Sequence, residues 1–264
     1  MMIDFHTHIF PEKIADKTIA NLSKTCNIVP YTDGKEQGLR SSTHDSGIDC
    51  SIILPVATAP RQFDSIHRFA LQFMEGELLI SFGSIHPDCE DYKGKLRWIK
   101  ENGFKGIKLH PDYQNTYFND MKYKRILACA SELDLIVVTH AGLDPVSPKD
   151  VHCTPKMVAE VLDEVQPKNL VLAHMGGNWL FDEVEQLLVE RDVYFDTSYV
   201  LDKMDCTQFL RMVRNHGADK ILFGSDSPWG GQKRFVEVLN QLSLTEDERE
   251  QIAYKNAKKL LKLH

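Results

Sequence analysis

The segment Met1-Met2-Ile3-Asp4-Phe5-His6-Thr7-His8 decides how the rest of the sequence is interpreted. It is largely apolar up to Phe5 and predicts a short strand that ends in two histidines. Side chains two residues apart in a strand point the same way, so His6 and His8 are expected side by side at its C-terminal end. Two imidazoles at this spacing can share one divalent ion, and later strands would have to supply the remaining ligands.

Seven further apolar runs follow along the 264 residues and alternate with helical patterns. The eight runs cover residues 1–8, 51–56, 78–83, 104–110, 135–140, 170–174, 193–198 and 221–226. They are nearly all apolar, which is typical of parallel strands covered on both faces. The turn after the first run has no GxGxxG motif, which would have favoured a doubly wound sheet. The sequence therefore predicts an α/β fold, a single (β/α)8 TIM barrel forming one domain over residues 1–264.

Between the runs, two helix starts are marked by capping residues. Thr154 and Pro155 form a cap followed by proline at the first helical position. The segment Thr245-Glu-Asp-Glu248 matches a capping box. A less regular stretch from Cys26 to Arg40 is rich in Gly, Asp and Thr, and it is interpreted as an active-site loop.

The composition argues against a dedicated nucleic-acid or membrane-surface protein. Hydrophobic residues make up 42%, and the net charge of −7 is spread along the chain. No signal peptide and no apolar run of ~20 residues is apparent. The six cysteines form no CxxC motif, so a reducing, cytoplasmic location is expected. Cys50, Cys129 and Cys206 are interpreted as small buried residues.

Metal-ligating residue types concentrate where the predicted strands end, which is the active-site end of such a barrel. The residues are His6, His8, His86, Lys108, His110, His140, His174 and Asp226. Three imidazoles and a carboxylate suit a catalytic Zn²⁺ with one position open for water. The predicted ligand set is His6, His8, His140 and Asp226.

This set implies a hydrolytic chemistry. The metal would lower the pKa of its bound water toward ~7 and polarise a substrate carbonyl. Asp226 would take the proton as hydroxide attacks. His174 would hydrogen-bond the developing oxyanion or the water.

Several residues near the predicted site keep alternative interpretations. Lys108 could carry a carbamate that bridges two metals, bind a substrate carboxylate, or be an interior lysine paired with an acid. His110 is either a substrate contact or structural, and His86, before Pro87, is either functional or a turn histidine. Trp229 could line the pocket or pack the barrel mouth.

Two carboxylates and five histidines are set apart from the ligand set. Asp4 could orient an imidazole, whereas Asp196 is interpreted as structural. No role is assigned to His44, His67, His152, His216 and His264.

These residues resemble the amidohydrolase superfamily, and within it the subgroup that includes aminocarboxymuconate-semialdehyde decarboxylase. The matching segments are residues 3–8, Gly106-Ile-Lys-Leu-His-Pro111, Val138-Thr-His-Ala-Gly142, Leu172-Ala-His-Met-Gly-Gly177 and Phe223-Gly-Ser-Asp-Ser-Pro-Trp229. The resemblance implies a (β/α)8 barrel with Zn²⁺ or Mn²⁺ held by His6, His8, His140 and Asp226. It also implies catalytic roles for His174 and Asp226.

The resemblance leaves the reaction open, because members hydrolyse C–N or C–O bonds or decarboxylate or hydrate small acids. One lactonase branch uses no metal. The main hypothesis is a metal-dependent hydrolase acting on a small, anionic, cyclic or carbonyl-bearing metabolite. The alternatives are a nonoxidative decarboxylase (a lyase), a metal-free lactonase and a non-catalytic barrel. The sequence predicts one ion and leaves a second ion and a homodimer open. Arg40 or Arg61 could bind a substrate carboxylate, but neither lies in a matching motif.

Overall fold

The structure, a computed structural model, describes residues 1–74 and 76–263. The strands are β1 Ile3–Thr7, β2 Cys50–Ile53, β3 Leu79–Ser81, β4 Gly83–Ser84, β5 Gly106–Leu109, β6 Ile136–Thr139, β7 Leu170–Leu172, β8 Tyr194–Asp196 and β9 Ile221–Leu222. The helices are α1 Glu12–Cys26, α2 Glu36–Asp45, α3 Phe63–Ala70, α4 Tyr92–Glu101, α5 Met121–Glu132, α6 Pro155–Glu164, α7 Phe181–Leu187, α8 Cys206–His216, α9 Gln232–Gln241, α10 Glu246–Glu250 and α11 Asn256–Leu261. His264, to which the sequence assigns no role, lies outside the described residues.

Every predicted run contains a strand, and the alternation of strands and helices is confirmed. The third run differs in detail, because it holds two short strands, β3 and β4, on either side of Phe82. Within the part of the chain that the structure describes, no helix is both long and apolar enough to cross a membrane.

The chain forms two compact units. The first unit comprises residues 1–53, 76–80 and 196–263 of the described chain, and the second comprises 54–74 and 81–195. Whether residues 1–264 act as one domain stays a prediction.

In the first unit, β1 is buried along its whole length. It pairs in parallel with β2, with Ile3 opposite Cys50. On its other side Phe5 N–H donates to the Phe223 carbonyl at 2.8 Å, and Thr7 bridges Ser227. This pairing places the residues after β9 beside the C-terminal end of β1.

In the second unit, β4 to β8 pair in parallel in sequence order. The central register aligns Lys108 with Val138 and Val138 with Val171. β5, β6 and β7 are buried throughout, as parallel strands covered on both faces should be. His110, His140 and His174 therefore follow neighbouring strands at the same edge of the sheet.

The capping predictions are confirmed. The Thr154 hydroxyl accepts from Met157 N–H at the start of α6, where Pro155 is the first helical residue. Thr245 and Glu248 form the reciprocal capping box of α10.

Two local expectations are wrong. The predicted loop from Cys26 to Arg40 runs into α2, because Leu39 and Thr43 lie four residues apart and bury one helical face. Cys206 is exposed as the first residue of α8, whereas Cys50 and Cys129 are buried as expected.

Candidate active site

The first unit brings together His6 and His8 from the end of β1 and Asp226 from the turn after β9, and we call these three residues the first group. His6 Nε2 lies 3.1 Å from His8 Nε2 and 3.4 Å from Asp226 Oδ1. His8 Nε2 lies 3.2 Å from the same carboxylate oxygen. The three atoms form a nearly equilateral triangle.

This triangle has the size that a small divalent ion requires. Ligand atoms about 2.0–2.1 Å from a tetrahedral zinc ion lie roughly 3.3–3.4 Å from one another. The three edges of the first group, at 3.1, 3.4 and 3.2 Å, are close to these separations. Three protein ligands also leave a position for water or substrate, as in catalytic zinc sites.

The tautomer of His6 agrees with a role as a ligand. Its Nδ1 lies 2.7 Å from Asp196 Oδ2 and 3.0 Å from the Ser198 hydroxyl. Because a carboxylate only accepts hydrogen bonds, Nδ1 carries the hydrogen and Nε2 presents its lone pair to His8 and Asp226. A carboxylate behind a ligating histidine fixes both ring orientation and tautomer.

The identity of that carboxylate corrects the sequence analysis. Asp196, interpreted as structural, is the residue that orients the His6 imidazole. The carboxylate of Asp4 is bonded instead to Ser225 and Gln232 and to the backbone N–H of His6. Burial raises the pKa of the Asp4 carboxyl to about 6, against the opposing effect of these hydrogen bonds.

The backbone presents Asp226 in an unusual conformation. Its φ is +69°, in the left-handed region that costs most residues about 1–3 kcal/mol. The conformation is held because Asp226 N–H donates to the His6 carbonyl at 2.8 Å and the Asp226 carbonyl accepts from Trp229 N–H at 2.8 Å. The half-buried Trp229 thus lies on the turn that carries Asp226.

The second unit contains a second candidate, His110, His140 and Asp144, which we call the second group. His110 Nε2 lies 3.5 Å from Asp144 Oδ2, and His140 Nε2 lies 3.8 Å from the same oxygen. All three residues are buried. The second group is therefore wider than the first.

His110 differs from His6 in its tautomer. Tyr113 N–H donates to His110 Nδ1 at 3.4 Å, which places the hydrogen on Nε2, facing Asp144. The ring is stacked between Tyr113 and His140, with centroid distances of 3.8 and 4.4 Å. In this arrangement the hydrogen on His110 Nε2 faces Asp144, so this nitrogen presents no lone pair to an ion.

His140 and His174 contact each other at the ends of β6 and β7. His174 Nε2 lies 3.0 Å from His140 Nδ1. The backbone of His174 is left-handed, with φ +59°. Gly142 permits this approach, because a Cβ there would lie 2.1 Å from the backbone nitrogen of Asn178. The glycine of the Val138–Gly142 segment thus lets the two strand ends come together.

Lys108 and His86, also predicted near the site, lie outside the two groups. Lys108 is buried on β5, where the Ser84 hydroxyl donates to its carbonyl at 2.8 Å. His86 Nδ1 accepts from Asp88 N–H at 3.1 Å, as expected of a turn histidine, and burial lowers its pKa. The roles of Lys108, His110 and Trp229 toward a substrate remain predictions.

The structure thus joins three of the four predicted ligands, His6, His8 and Asp226, in one unit. His140 lies in the second unit with His174, and its membership of that ligand set stays a prediction. Asp112 and Asp144 were not singled out from the sequence, although each closely follows a strand, two residues past His110 and four residues past His140.

Comparison with known proteins identifies the family. A family model described as Amidohydrolase matches residues 3–263. The chain belongs to this amidohydrolase family. No curated protein matches the sequence significantly.

Solved structures of similar length share the fold. A 2,6-dihydroxybenzoate decarboxylase in complex with 2,6-dihydroxybenzoate is 18% identical, with a TM-score of 0.75 and 99% of each chain covered. A TIM-barrel protein from Bordetella bronchiseptica is 15% identical, with a TM-score of 0.76, 99% of this chain and 98% of that chain covered.

A third similar structure is 5-carboxyvanillate decarboxylase from Novosphingobium aromaticivorans, complexed with manganese and 4-hydroxy-3-methoxy-5-nitrobenzoic acid. It is 14% identical, with a TM-score of 0.73, and covers 100% of this chain and 96% of that chain. These similarities confirm the predicted α/β barrel fold.

Proposed function

We propose that the protein is a metal-dependent nonoxidative decarboxylase of a small hydroxylated aromatic acid. The observation that carries the proposal is the compact triangle of His6, His8 and Asp226. The similarity of this chain to two aromatic-acid decarboxylases of known structure supports it. Manganese in one of them supports Mn²⁺ as the ion, and Zn²⁺ suits the same donors. This choice replaces hydrolysis, the main hypothesis from the sequence, with its stated alternative.

His6, His8 and Asp226 would hold the ion, and the sequence adds His140 as a predicted fourth ligand. A bound divalent ion supplies positive charge that stabilises anionic oxygens of the substrate. Asp196 keeps the His6 lone pair directed at the ion by accepting the hydrogen of Nδ1.

Asp226 is the proposed proton donor. Its protonated carboxyl would transfer the proton to the ring carbon that carries the substrate carboxylate. The bond between that carbon and the carboxylate then breaks, its electron pair stays on the ring, and CO₂ leaves. Asp226 ends as the carboxylate and takes up a proton from water before the next turnover. His174, held by His140, is the proposed hydrogen-bond donor to the substrate.

Hydrolysis is the second candidate, because the family is described as Amidohydrolase and the same triangle suits activation of water. In that case Asp226 would accept the proton of the attacking water. For both reactions we propose a small-molecule substrate, no nucleic-acid or membrane partner, and a cytoplasmic location, which the six free cysteines support.

Isotope incorporation distinguishes the two reactions. We would incubate the Mn²⁺-loaded protein with 2,6-dihydroxybenzoate or 5-carboxyvanillate in D₂O. Decarboxylation is expected to release CO₂ and to leave one deuterium on the ring carbon that lost the carboxylate. The Asp226→Asn protein serves as the control and should release none.

A panel of small amides and lactones tests the alternative. Turnover of a panel member without CO₂ release from the aromatic acids would contradict the decarboxylase proposal and support hydrolysis. No turnover of either panel by protein with a confirmed bound ion would contradict both substrate classes.

A further inference from the structure

Asp4 is a buried carboxylate in the first unit to which the proposed function gives no task. It lies on β1, is 0% exposed and precedes His6 by two residues. Burying a carboxylate is costly unless hydrogen-bond donors or a cation accompany it. The donors around Asp4 therefore show which parts of the unit this residue holds together.

Four donors surround the two oxygens of the Asp4 carboxylate. Oδ1 accepts from His6 N–H at 3.2 Å and from Ser225 N–H at 2.9 Å. Oδ2 accepts from the Ser225 hydroxyl at 2.5 Å and from Gln232 Nε2 at 2.9 Å. All four partners donate, and an ionised carboxylate accepts at both oxygens, whereas the amide of an asparagine accepts at one.

Two of these donors belong to Ser225, the residue before Asp226. The Ser225 hydroxyl donates to Asp4 and also accepts from Ser227 N–H at 3.0 Å. Asp4 is therefore connected to the residues on both sides of Asp226, to one directly and to the other through the Ser225 hydroxyl.

These contacts hold a turn with an unusual backbone. The φ of Asp226 is +69°, and a residue with a side chain rarely adopts this conformation unless its surroundings impose it. The turn brings Asp226 Oδ1 to 3.4 Å from His6 Nε2 and to 3.2 Å from His8 Nε2. If the turn relaxed, the carboxylate would move relative to the two imidazoles and the triangle of the first group would open.

Gln232, the first residue of α9, connects Asp4 to two further elements. Its Nε2 lies 3.0 Å from the Ser51 hydroxyl on β2 and 3.4 Å from the Thr43 hydroxyl on α2. The two hydroxyls lie 2.9 Å from each other. Asp4 thus lies at one end of a buried polar network, beside the turn that carries Asp226, and Thr43 lies at the other end.

We propose that Asp4 is a positioning residue, which fixes the turn that presents Asp226 to the two histidines of the first group. It acts through the backbone and the hydroxyl of Ser225. Its effect is therefore on a carboxylate ligand, whereas the sequence analysis expected it to orient an imidazole. The proposal rests on the proposed function, because that function assigns the metal ion to the first group.

The variant Asp4→Asn tests whether both accepting oxygens are needed. Its amide has one accepting oxygen, so the group that replaces Oδ2 donates toward Ser225 and Gln232. Gln232 can rotate its own amide and accept with Oε1. The Ser225 hydroxyl already accepts from Ser227 N–H, so its hydrogen loses an acceptor and the contact with position 4 weakens.

Two measurements report the position of Asp226 in this variant. A crystal structure should show Asp226 Oδ1 farther from His6 Nε2 than the 3.4 Å of the wild type. Competition with a chelating dye should show Mn²⁺ affinity lower by about 10- to 100-fold. An Asp4→Asn protein with the wild-type distance and the wild-type affinity would overturn the proposal.

A double-mutant cycle with Ser225 tests the route. Ser225→Ala removes the hydroxyl that joins Asp4 to Ser227 and should also lower Mn²⁺ affinity, whereas Ser225→Thr keeps a hydroxyl and should bind nearly as the wild type does. Because Asp4→Asn and Ser225→Ala break the same connection, the double variant should bind no more weakly than the weaker single variant. Additive losses would show that Asp4 does not act through Ser225 and would overturn the proposal.

Thr43→Val is the matched control, because it removes a buried hydroxyl at the far end of the same network. It should lower the free energy of unfolding in urea, while the distance in the first group and the Mn²⁺ affinity stay as in the wild type. Urea unfolding of every variant in the presence of chelator confirms that each one is folded in the assays. If Asp4→Asn behaves like Thr43→Val, with lower stability and unchanged affinity, the positioning role is overturned.

Asp226→Asn separates the failure of this proposal from that of the proposed function. If the wild type binds no Mn²⁺, or if Asp226→Asn keeps the ion, the metal site of the proposed function fails, and the crystallographic distances alone decide the role of Asp4. If Asp226→Asn loses the ion and Asp4→Asn keeps it with wild-type affinity, the metal site stands and the positioning role is overturned.

Discussion

The first and second groups contain the same residue types, yet hydrogen bonding prepares them differently. In the first group Asp196 takes the hydrogen of His6 Nδ1, so a lone pair faces the other two ligand atoms. In the second group the backbone of Tyr113 donates to His110 Nδ1, so the hydrogen faces Asp144. Histidine spacing alone does not define a metal site, because the contact on the far side of the ring decides which nitrogen can bind.

The largest expected effect concerns Asp226. Asp226→Asn removes both an anionic ligand and the proposed proton donor, so kcat/KM should fall by about 10³-fold or more. Steady-state decarboxylation with Mn²⁺ in excess measures the loss. Asp182→Asn, exposed in the first turn of α7, should retain wild-type activity. An Asp226→Asn protein whose kcat/KM lies within a few fold of the wild-type value would contradict a catalytic role for the first group.

His67 is a buried histidine outside both groups, and its hydrogen-bond partners are backbone atoms. His67 Nδ1 lies 2.7 Å from the Phe63 carbonyl, and His67 Nε2 accepts from Ser84 N–H at 3.3 Å. Burial lowers its pKa from 6.5 to about 4. Below pH 6.5 the His67 imidazole is protonated in the unfolded chain, whereas in the folded protein it stays neutral down to about pH 4. Stability is therefore lost as pH falls across that window.

We expect this histidine to account for about 3 kcal/mol of the decline in unfolding free energy. Urea unfolding of the wild type and His67→Gln between pH 7 and pH 4 measures it, and the variant should show a correspondingly shallower pH dependence. Parallel curves for the two proteins would show that His67 is not the titrating group.

Asp196→Asn tests the contact that distinguishes the two groups. An amide can still contact His6, but it no longer enforces the hydrogen on Nδ1, so Mn²⁺ affinity should fall by about 10- to 100-fold while binding survives at high metal concentration. Competition with a chelating dye measures the dissociation constant. Asp219→Asn, exposed in the same unit, should bind as the wild type does. Unchanged affinity in Asp196→Asn would mean that His6 needs no carboxylate to present its lone pair.

The same contact shows where sequence reasoning succeeds and where it ends. The period of two in a strand and the common edge of parallel strands placed His6, His8, His140, His174 and Asp226 at strand ends. Asp196 is 190 residues from His6, and their contact depends on how distant segments pack. Asp4 lies only two residues from His6 and was the nearer candidate, but its carboxylate accepts hydrogen bonds from Ser225 and Gln232. Local periodicity thus gives the strands and their ends, whereas the partner of each side chain requires the tertiary structure.

The smallest expected effects concern one helix cap from each unit. Thr245 and Glu248 cap α10 reciprocally, at 3.2 and 2.7 Å, whereas Thr154 caps α6 through Met157 N–H alone, at 3.3 Å. Replacing either threonine with alanine should cost about 1 kcal/mol of unfolding free energy, and serine should restore it. Urea unfolding of the two variants and of the wild type measures both losses, and an unchanged unfolding free energy in either variant would show that its cap is dispensable.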